Sequence, residues 1–308
     1  MPNPRPSVGP RSRNHFRQRG FASSCALVLA LTAVAAAAPA HAESASCAPA
    51  TSATFSKANA PFLDWAENLG FDAQGNLWVS RLYRNEVQRY DSAGRVTATV
   101  PVTSPGAIRL GPDHQLYVVY GDNSLNLFPG THDAGVVRFD PTAAAPVPEV
   151  FVSGLSMPNG AAFDAAGNLY VADTGSGVVR VRPDATIDAD WTAQASRFGL
   201  NGIAVEGDSV YATVYLSPHG QIVRIPIDAP DQSATVANLS LSDDLAVGPD
   251  GLLYVATTAG SLVRIDPATH STCTVLTAGP LSAVAVSPDG DLMVATGTGD
   301  VLRVDLAE

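Results

Sequence analysis

Positive charge is thin in this chain: 18 Lys and Arg stand against 29 Asp and Glu, and charged residues occupy only 15% of its 308 positions. Five of the arginines (Arg5, Arg11, Arg13, Arg17 and Arg19) fall in the first 20 residues, where there is no acid. Without them 13 basic residues remain against the same 29 acids, a formal charge of −16. Such a surface repels phosphate backbones and anionic lipid, which argues against nucleic-acid and membrane-surface roles. Familiar catalytic signatures are missing as well. There is no Gly-x-Ser-x-Gly elbow, no His-Glu-x-x-His zinc motif and no Gly-x-x-x-x-Gly-Lys phosphate cradle. The Gly-rich stretch Asp173–Gly177 lies between two strand-like segments and reads as a hairpin turn.

Behind the basic start comes an apolar, Ala-rich run from Phe21 to Ala38, then Ala40-His41-Ala42, the small-x-small pattern of a signal-peptidase site. Residues 1–42 are therefore expected to be a cleaved signal peptide and the mature protein to be secreted, extracellular or periplasmic. A retained anchor is the alternative, since the run is near the lower limit for a spanning helix. Arg11-Ser12-Arg13 lacks an adjacent Arg pair, and Cys25 lies at the start of the run, not its end, so neither twin-arginine export nor a lipoprotein anchor is indicated. Cleavage leaves Cys47 and Cys273, two cysteines that in an oxidising compartment are expected to form an intrachain disulfide.

What the chain does have is a phrase repeated six times: an apolar residue, a Gly- or Asp-containing turn, then an apolar residue, a large residue and Val or Ala. Phe71–Val79 and Phe163–Val171 are representative copies. The large residues Trp78, Tyr117, Tyr170, Tyr211, Tyr254 and Met293 are spaced 39, 53, 41, 43 and 39, a period that fits one four-stranded blade each. The expected fold is all-β, a six-bladed β-propeller over residues 63–308. The last repeat stops after its third strand, so residues 43–62 should supply the missing one, near 49–57, and leave no open edge. Arginines recurring in the third strands, such as Arg138 and Arg180, alternate with apolar residues and should be solvated.

Each innermost strand begins at one end of the central channel. The residue four before each aligned apolar position should face the axis, which gives Glu67, Gly106, Asn159, Asn201, Asp243 and Ser282. A structural ring would be small or apolar; here four of six are oxygen donors, which suit Ca²⁺, and also Mg²⁺ or Mn²⁺. Bland readings stand beside this one: Asn at a strand entry also bonds the turn backbone, and Asp243-Asp244 also reads as an exposed acidic turn, with Asp244 solvated.

At these residues the sequence resembles the senescence-marker-protein, or regucalcin, and gluconolactonase family of six-bladed propellers. The resemblance implies that Glu67, Asn201 and Asp243 bind one divalent cation, Ca²⁺ first with Mg²⁺, Mn²⁺ or Zn²⁺ as alternatives. It also implies that Asn159 lines the substrate site and that Asp243 takes a proton from the attacking water. Two departures stand out. The Gly usual after the Glu and the Asp is replaced by Asn68 and Asp244, and the Arg of the regucalcin branch by Met157, which suggests a less polar substrate wall or a gap-filling side chain. The expected function is a secreted metal-dependent hydrolase, a lactonase acting on a small cyclic ester as a monomer. The alternatives are a non-catalytic propeller that binds a ligand or partner over a structural metal, and a lyase or synthase. Loops 80–86, 120–135, 173–177 and 215–220 should form the rim, with Arg81, Tyr83, Tyr215 and His219 as possible substrate contacts. The 120–135 loop, with Asp122, Asn123, His132 and Asp133, is a candidate lid or an inert insertion.

Overall fold

The computed structural model describes residues 47–306 apart from Pro49, Pro129 and His132; the expected signal peptide and the candidate lid residue His132 lie outside the described residues. Six antiparallel sheets form a ring, each innermost strand lying beside the next and the last beside the first. Those strands are Ala66–Phe71, Ile108–Leu110, Pro158–Phe163, Leu200–Glu206, Ser242–Val247 and Leu281–Val286. Among the described residues no helix is long and apolar enough to cross a membrane.

The repeated phrase has a physical reason. In the first blade the Asp72 carboxylate accepts from the Gln74 and Asn76 amides at 3.0 and 2.9 Å and from the indole N–H of Trp78 at 2.9 Å. Asp113, Asp164 and Asp250 likewise accept from the hydroxyls of Tyr117, Tyr170 and Tyr254 at 2.9, 3.0 and 2.9 Å. The turn acid thus satisfies both the turn backbone and the polar tip of a buried ring, which lets Trp78, Tyr170 and Tyr254 be fully buried. The turns need a left-handed residue, met by Gly75 and Gly167 at φ 79° and 84°; the second blade places His114 there at φ 62°.

The core is divided among six clusters at the faces between adjacent blades; one joins Tyr170 and Val178 of the third blade to Leu200, Val210 and Val223 of the fourth. Third-strand arginines are partly exposed, as expected, yet engaged: Arg138 pairs with Glu149 at 2.7 Å, Arg224 with Asp208 at 3.1 Å and Arg180 with Asp188. The third blade departs from the pattern. It has three strands, and a short helix, Ala189–Gln194, replaces the fourth, with Trp191 packed edge-on against Tyr170 at 5.1 Å.

Closure occurs as the repeat count demands. Thr51–Ser56 pairs antiparallel with Val301–Asp305 and completes the last blade. Cys47 and Cys273 are joined in a disulfide with Cα atoms 5.3 Å apart, tying this closing segment to the outer strand of the fifth blade.

One irregularity recurs at the mouth. Between Ala66 and Leu69 the first inner strand advances three residues while its partner advances two, from Arg81 to Val79. The same extra residue occurs between Pro158 and Ala161, Leu200 and Ile203, Ser242 and Asp244, and Leu281 and Ala283. In the second blade Gly106 and Ala107 both bond to Val119. A β-bulge re-aims a side chain. Six in register turn the ring residues out of the sheet alternation and toward the axis.

Candidate functional site

The bulges bring Glu67, Asn159, Asn201 and Asp243 to the floor of one cavity of about 590 Å³, with Met157 on its wall. All four sequence-predicted ring donors are therefore together. The other two ring positions carry no donor into the space: Ser282 Oγ gives its proton to the Ala66 carbonyl, and a Cβ on Gly106 would lie 2.7 Å from the Asn159 carbonyl oxygen. The Asn-Gly pairs follow from crowding at the axis. A Cβ on Gly160 would sit 2.5 Å from the Asn201 carbonyl oxygen, and one on Gly202 2.5 Å from Asp244 Cα.

The floor is tightly bonded on one side. Glu67 accepts from Trp65 Nε1 at 2.5 Å and from Asn159 Nδ2 at 2.9 Å, and Asn159 Nδ2 also donates to Asp122 Oδ2 at 2.9 Å. Asp122 belongs to the long 120–135 segment, which therefore contributes to the site; Asn123 and Ser124 join the wall. Burial pushes the Glu67 carboxyl up, against the pull of its Asn159 and Trp65 bonds. Burial and then the nearby Glu67 charge push Asp122 well above the carboxylate range. Asp243 is raised well above it too, by burial and then by Glu67, Asp244 and Asp122, while Asn201 pulls the other way.

Among the described residues, the buried Asn201 Oδ1 has no hydrogen-bond donor and no Lys, Arg or His lines the cavity. Among the described residues no three His, Cys, Asp or Glu side chains form a ready cage, so the donor set in question is a mixed carboxylate and amide one. An orphaned amide oxygen beside mutually repelling carboxylates is what a hard divalent cation relieves. Glu67, Asn201 and Asp243 fit that role.

Below the floor the expectation for Asp244 fails. It is buried, not solvated. Its Oδ2 accepts from Asn68 Nδ2 at 3.0 Å, and Arg109 Nη2 lies 3.8 Å from its Oδ1. Arg109 Nη1 in turn donates to Asn68 Oδ1 at 2.8 Å and to the Ile108 carbonyl at 2.8 Å. Burial raises Asp244 to about 6 despite the arginine. The two positions that depart from glycine thus fill the channel with partners for each other, and Arg109 joins blades one, two and five. Sequence reasoning missed Asp122 as a floor residue and Arg109 altogether.

Of the proposed rim contacts, Tyr83 and Tyr215 line the cavity. Arg81 does not: it is buried, donating to the carbonyls of Asp64 and Gly299 at 2.6 and 2.7 Å and to Tyr90 Oη at 2.6 Å, and so fastens the first blade to the last. His219 is exposed and lies off the wall.

No protein-family model and no curated protein matches the sequence. Solved structures do match the fold. A streptogramin B lyase is similar with a TM-score of 0.57 at 10% identity, over 84% of this chain and 98% of that one. The PQQ-bound aldose sugar dehydrogenase of Streptomyces coelicolor has a TM-score of 0.60 at 18% identity, over 85% and 100%. A gluconolactonase from Xanthomonas campestris has a TM-score of 0.67 at 15% identity, over 86% and 92%. Three chemistries share one scaffold, so the likeness is one of fold, and function must be argued from the site. Gluconolactonase propellers are among the structural neighbours of this chain, as the resemblance in its ring residues implied.

Proposed function

We propose that this protein is an exported, divalent-metal-dependent lactonase that opens a cyclic ester at the acidic mouth. The observation that carries the reading is the buried floor of Glu67, Asp122 and Asp243 around an Asn201 oxygen that, among the described residues, has no donor, with no cationic side chain among the described residues of the wall. Glu67, Asn201 and Asp243 would hold the cation, Ca²⁺ by the hardness of their oxygens. When bound, such an ion polarises a carbonyl oxygen and lowers the pKa of water.

The chain's own groups supply the rest. Glu67 has both oxygens engaged by Trp65 and Asn159. Asp243, with one oxygen left free of the cation, is the base. It takes a proton from water as the water oxygen bonds to the acyl carbon. The ring C–O bond breaks, the proton passes to the departing ring oxygen, and the product is a hydroxy acid; nothing is oxidised or reduced. Asn159, fixed between Glu67 and Asp122, orients the substrate.

A screen of aldonolactones, alkyl and aromatic lactones and aryl esters tests this with wild type and Asp243→Asn. The expected result is lactone turnover lowered about 10²- to 10⁴-fold by the substitution, the usual range for loss of a general base. Equal turnover by both proteins would exclude Asp243 from that role.

A further inference from the structure

Large apolar side chains are unevenly distributed over the surface. Phe62 and Leu63 (63% and 50% exposed), Tyr83 (58%), Leu125 and Phe128 (63% and 62%) and Leu216 (50%) all lie in segments that enter an inner strand or join a second strand to a third. Both kinds of connection open at the end of the channel that carries Glu67 and Asp243. Exposed apolar residues in such a concentration mark a binding surface.

The cavity continues the pattern inward. Above the acidic floor its wall includes Trp65, Leu82, Tyr83, Met157, Tyr215 and Pro280. Trp65 meets Tyr83 edge-on with centroids 6.2 Å apart. Tyr215 Oη is bonded to Thr258 Oγ1 at 3.0 Å, so its hydroxyl is committed within the wall. Polar partners are therefore concentrated at the floor and on the Ser104, Asn123 and Ser124 side. A polyhydroxylated lactone would set hydroxyls against Trp65, Met157 and Pro280, and each one left unpaired is costly. A phosphorylated or carboxylated lactone would bring its charge among three carboxylates with no Lys, Arg or His among the described residues of the wall.

We infer that the substrate is an uncharged lactone bearing an alkyl or aryl substituent. The ester ring occupies the polar floor, the substituent lies along Trp65, Tyr83, Met157 and Tyr215, and its far end reaches the apolar rim. This rests on the lactonase reading above and adds to it the class of substrate.

The test is kcat/KM along a γ-lactone series from the unsubstituted ring to the hexyl derivative, with glucono-δ-lactone and its 6-phosphate alongside. Burial of each added methylene should raise kcat/KM roughly two- to fourfold until the wall is covered, and the 6-phosphate should be the poorest member. Tyr83→Ser and Met157→Ser should each lower the hexyl value at least fivefold more than the unsubstituted one; Tyr83 is exposed enough that its replacement leaves the fold intact, which circular dichroism checks. A flat series, or glucono-δ-lactone turned over faster than the hexyl lactone, overturns the inference. If no lactone is hydrolysed at all, the lactonase reading fails and the substrate assignment with it, and calorimetry with the unreactive γ-alkyl lactams decides the remaining part, the apolar wall as the seat of an uncharged alkyl-bearing ligand: Kd tightening with chain length upholds that part. A Kd independent of chain length overturns it, and flotation of the protein with phosphatidylcholine vesicles in that case would reassign the rim to a lipid surface.

Discussion

The two ends of the channel use the same residue type in opposite ways. At the far end, the turn acids Asp72, Asp113, Asp164 and Asp250 each accept a hydrogen bond. Asp91 is held below its ordinary pKa by Arg95, Asp140 by the Thr142 hydroxyl and amide, and Asp266 by the Thr269 hydroxyl and the amides beside it. At the mouth, burial and mutual repulsion push Glu67, Asp122 and Asp243 up, and an amide oxygen beside them is left without a donor. Carboxylates that fold the protein lower its energy when ionised. Those on the mouth floor raise it, which is the condition for holding a cation or a proton.

Exchanging the two kinds of acid should separate activity from stability. The largest effect is expected for Asp243→Asn, which lowers lactone turnover about 10²- to 10⁴-fold yet, measured by thermal melting in chelator at pH 7, leaves the protein at least as stable as wild type, because a carboxyl disfavoured by burial and its acidic neighbours is gone. A clear loss of stability there would break the comparison. Next come the devices of closure and the far end. Cys47→Ala with Cys273→Ala opens a loop of 226 residues. In the chain-entropy account this costs about 5 kcal/mol, to be read from urea unfolding against wild type. Asp72→Ala removes the acceptor of two amides and the Trp78 indole. It should cost about 2–3 kcal/mol and leave kcat unchanged; a drop in kcat would show that the two ends are coupled.

Smaller and more diagnostic is the pH dependence of Asp244→Asn. The folded carboxyl titrates near 6, above its unfolded value, so between about pH 4 and 6 the folded state binds more protons and wild type loses stability as pH rises. The cost is absent below pH 4 and complete above 6. In chelator, the stability of Asp244→Asn relative to wild type should therefore rise by up to roughly 3 kcal/mol between pH 4 and pH 7. A difference that does not change with pH would mean that Arg109 and Asn68 fully compensate the charge.

The sequence made most of this architecture legible because a propeller repeats. Counting back from Trp78, Tyr170, Tyr211 and Tyr254 reaches Glu67, Asn159, Asn201 and Asp243, and the missing sixth-blade strand forecasts the pairing of Thr51–Ser56. Repetition was silent where the chain does something once. Asp122 lies in an insertion with no counterpart in the other blades, so no register reaches it. Asp244 looked like half of a surface acidic pair because its partners are 176 residues away at Asn68 and, through that residue, at Arg109. A signal existed nonetheless: Asn68 and Asp244 occupy the register position held by Gly160 and Gly202, and two large polar residues in a crowded axial ring require each other. The helix of the third blade carried no such mark, since Trp191 replaces a strand's packing with a single buried ring.

The most direct test of the acidic mouth is calorimetric titration of the metal-free mature protein with Ca²⁺, alongside Glu67→Gln and Asp243→Asn. One ion bound per chain, with at least tenfold weaker binding in each variant, is the predicted result; no binding to wild type at millimolar Ca²⁺ would contradict the account.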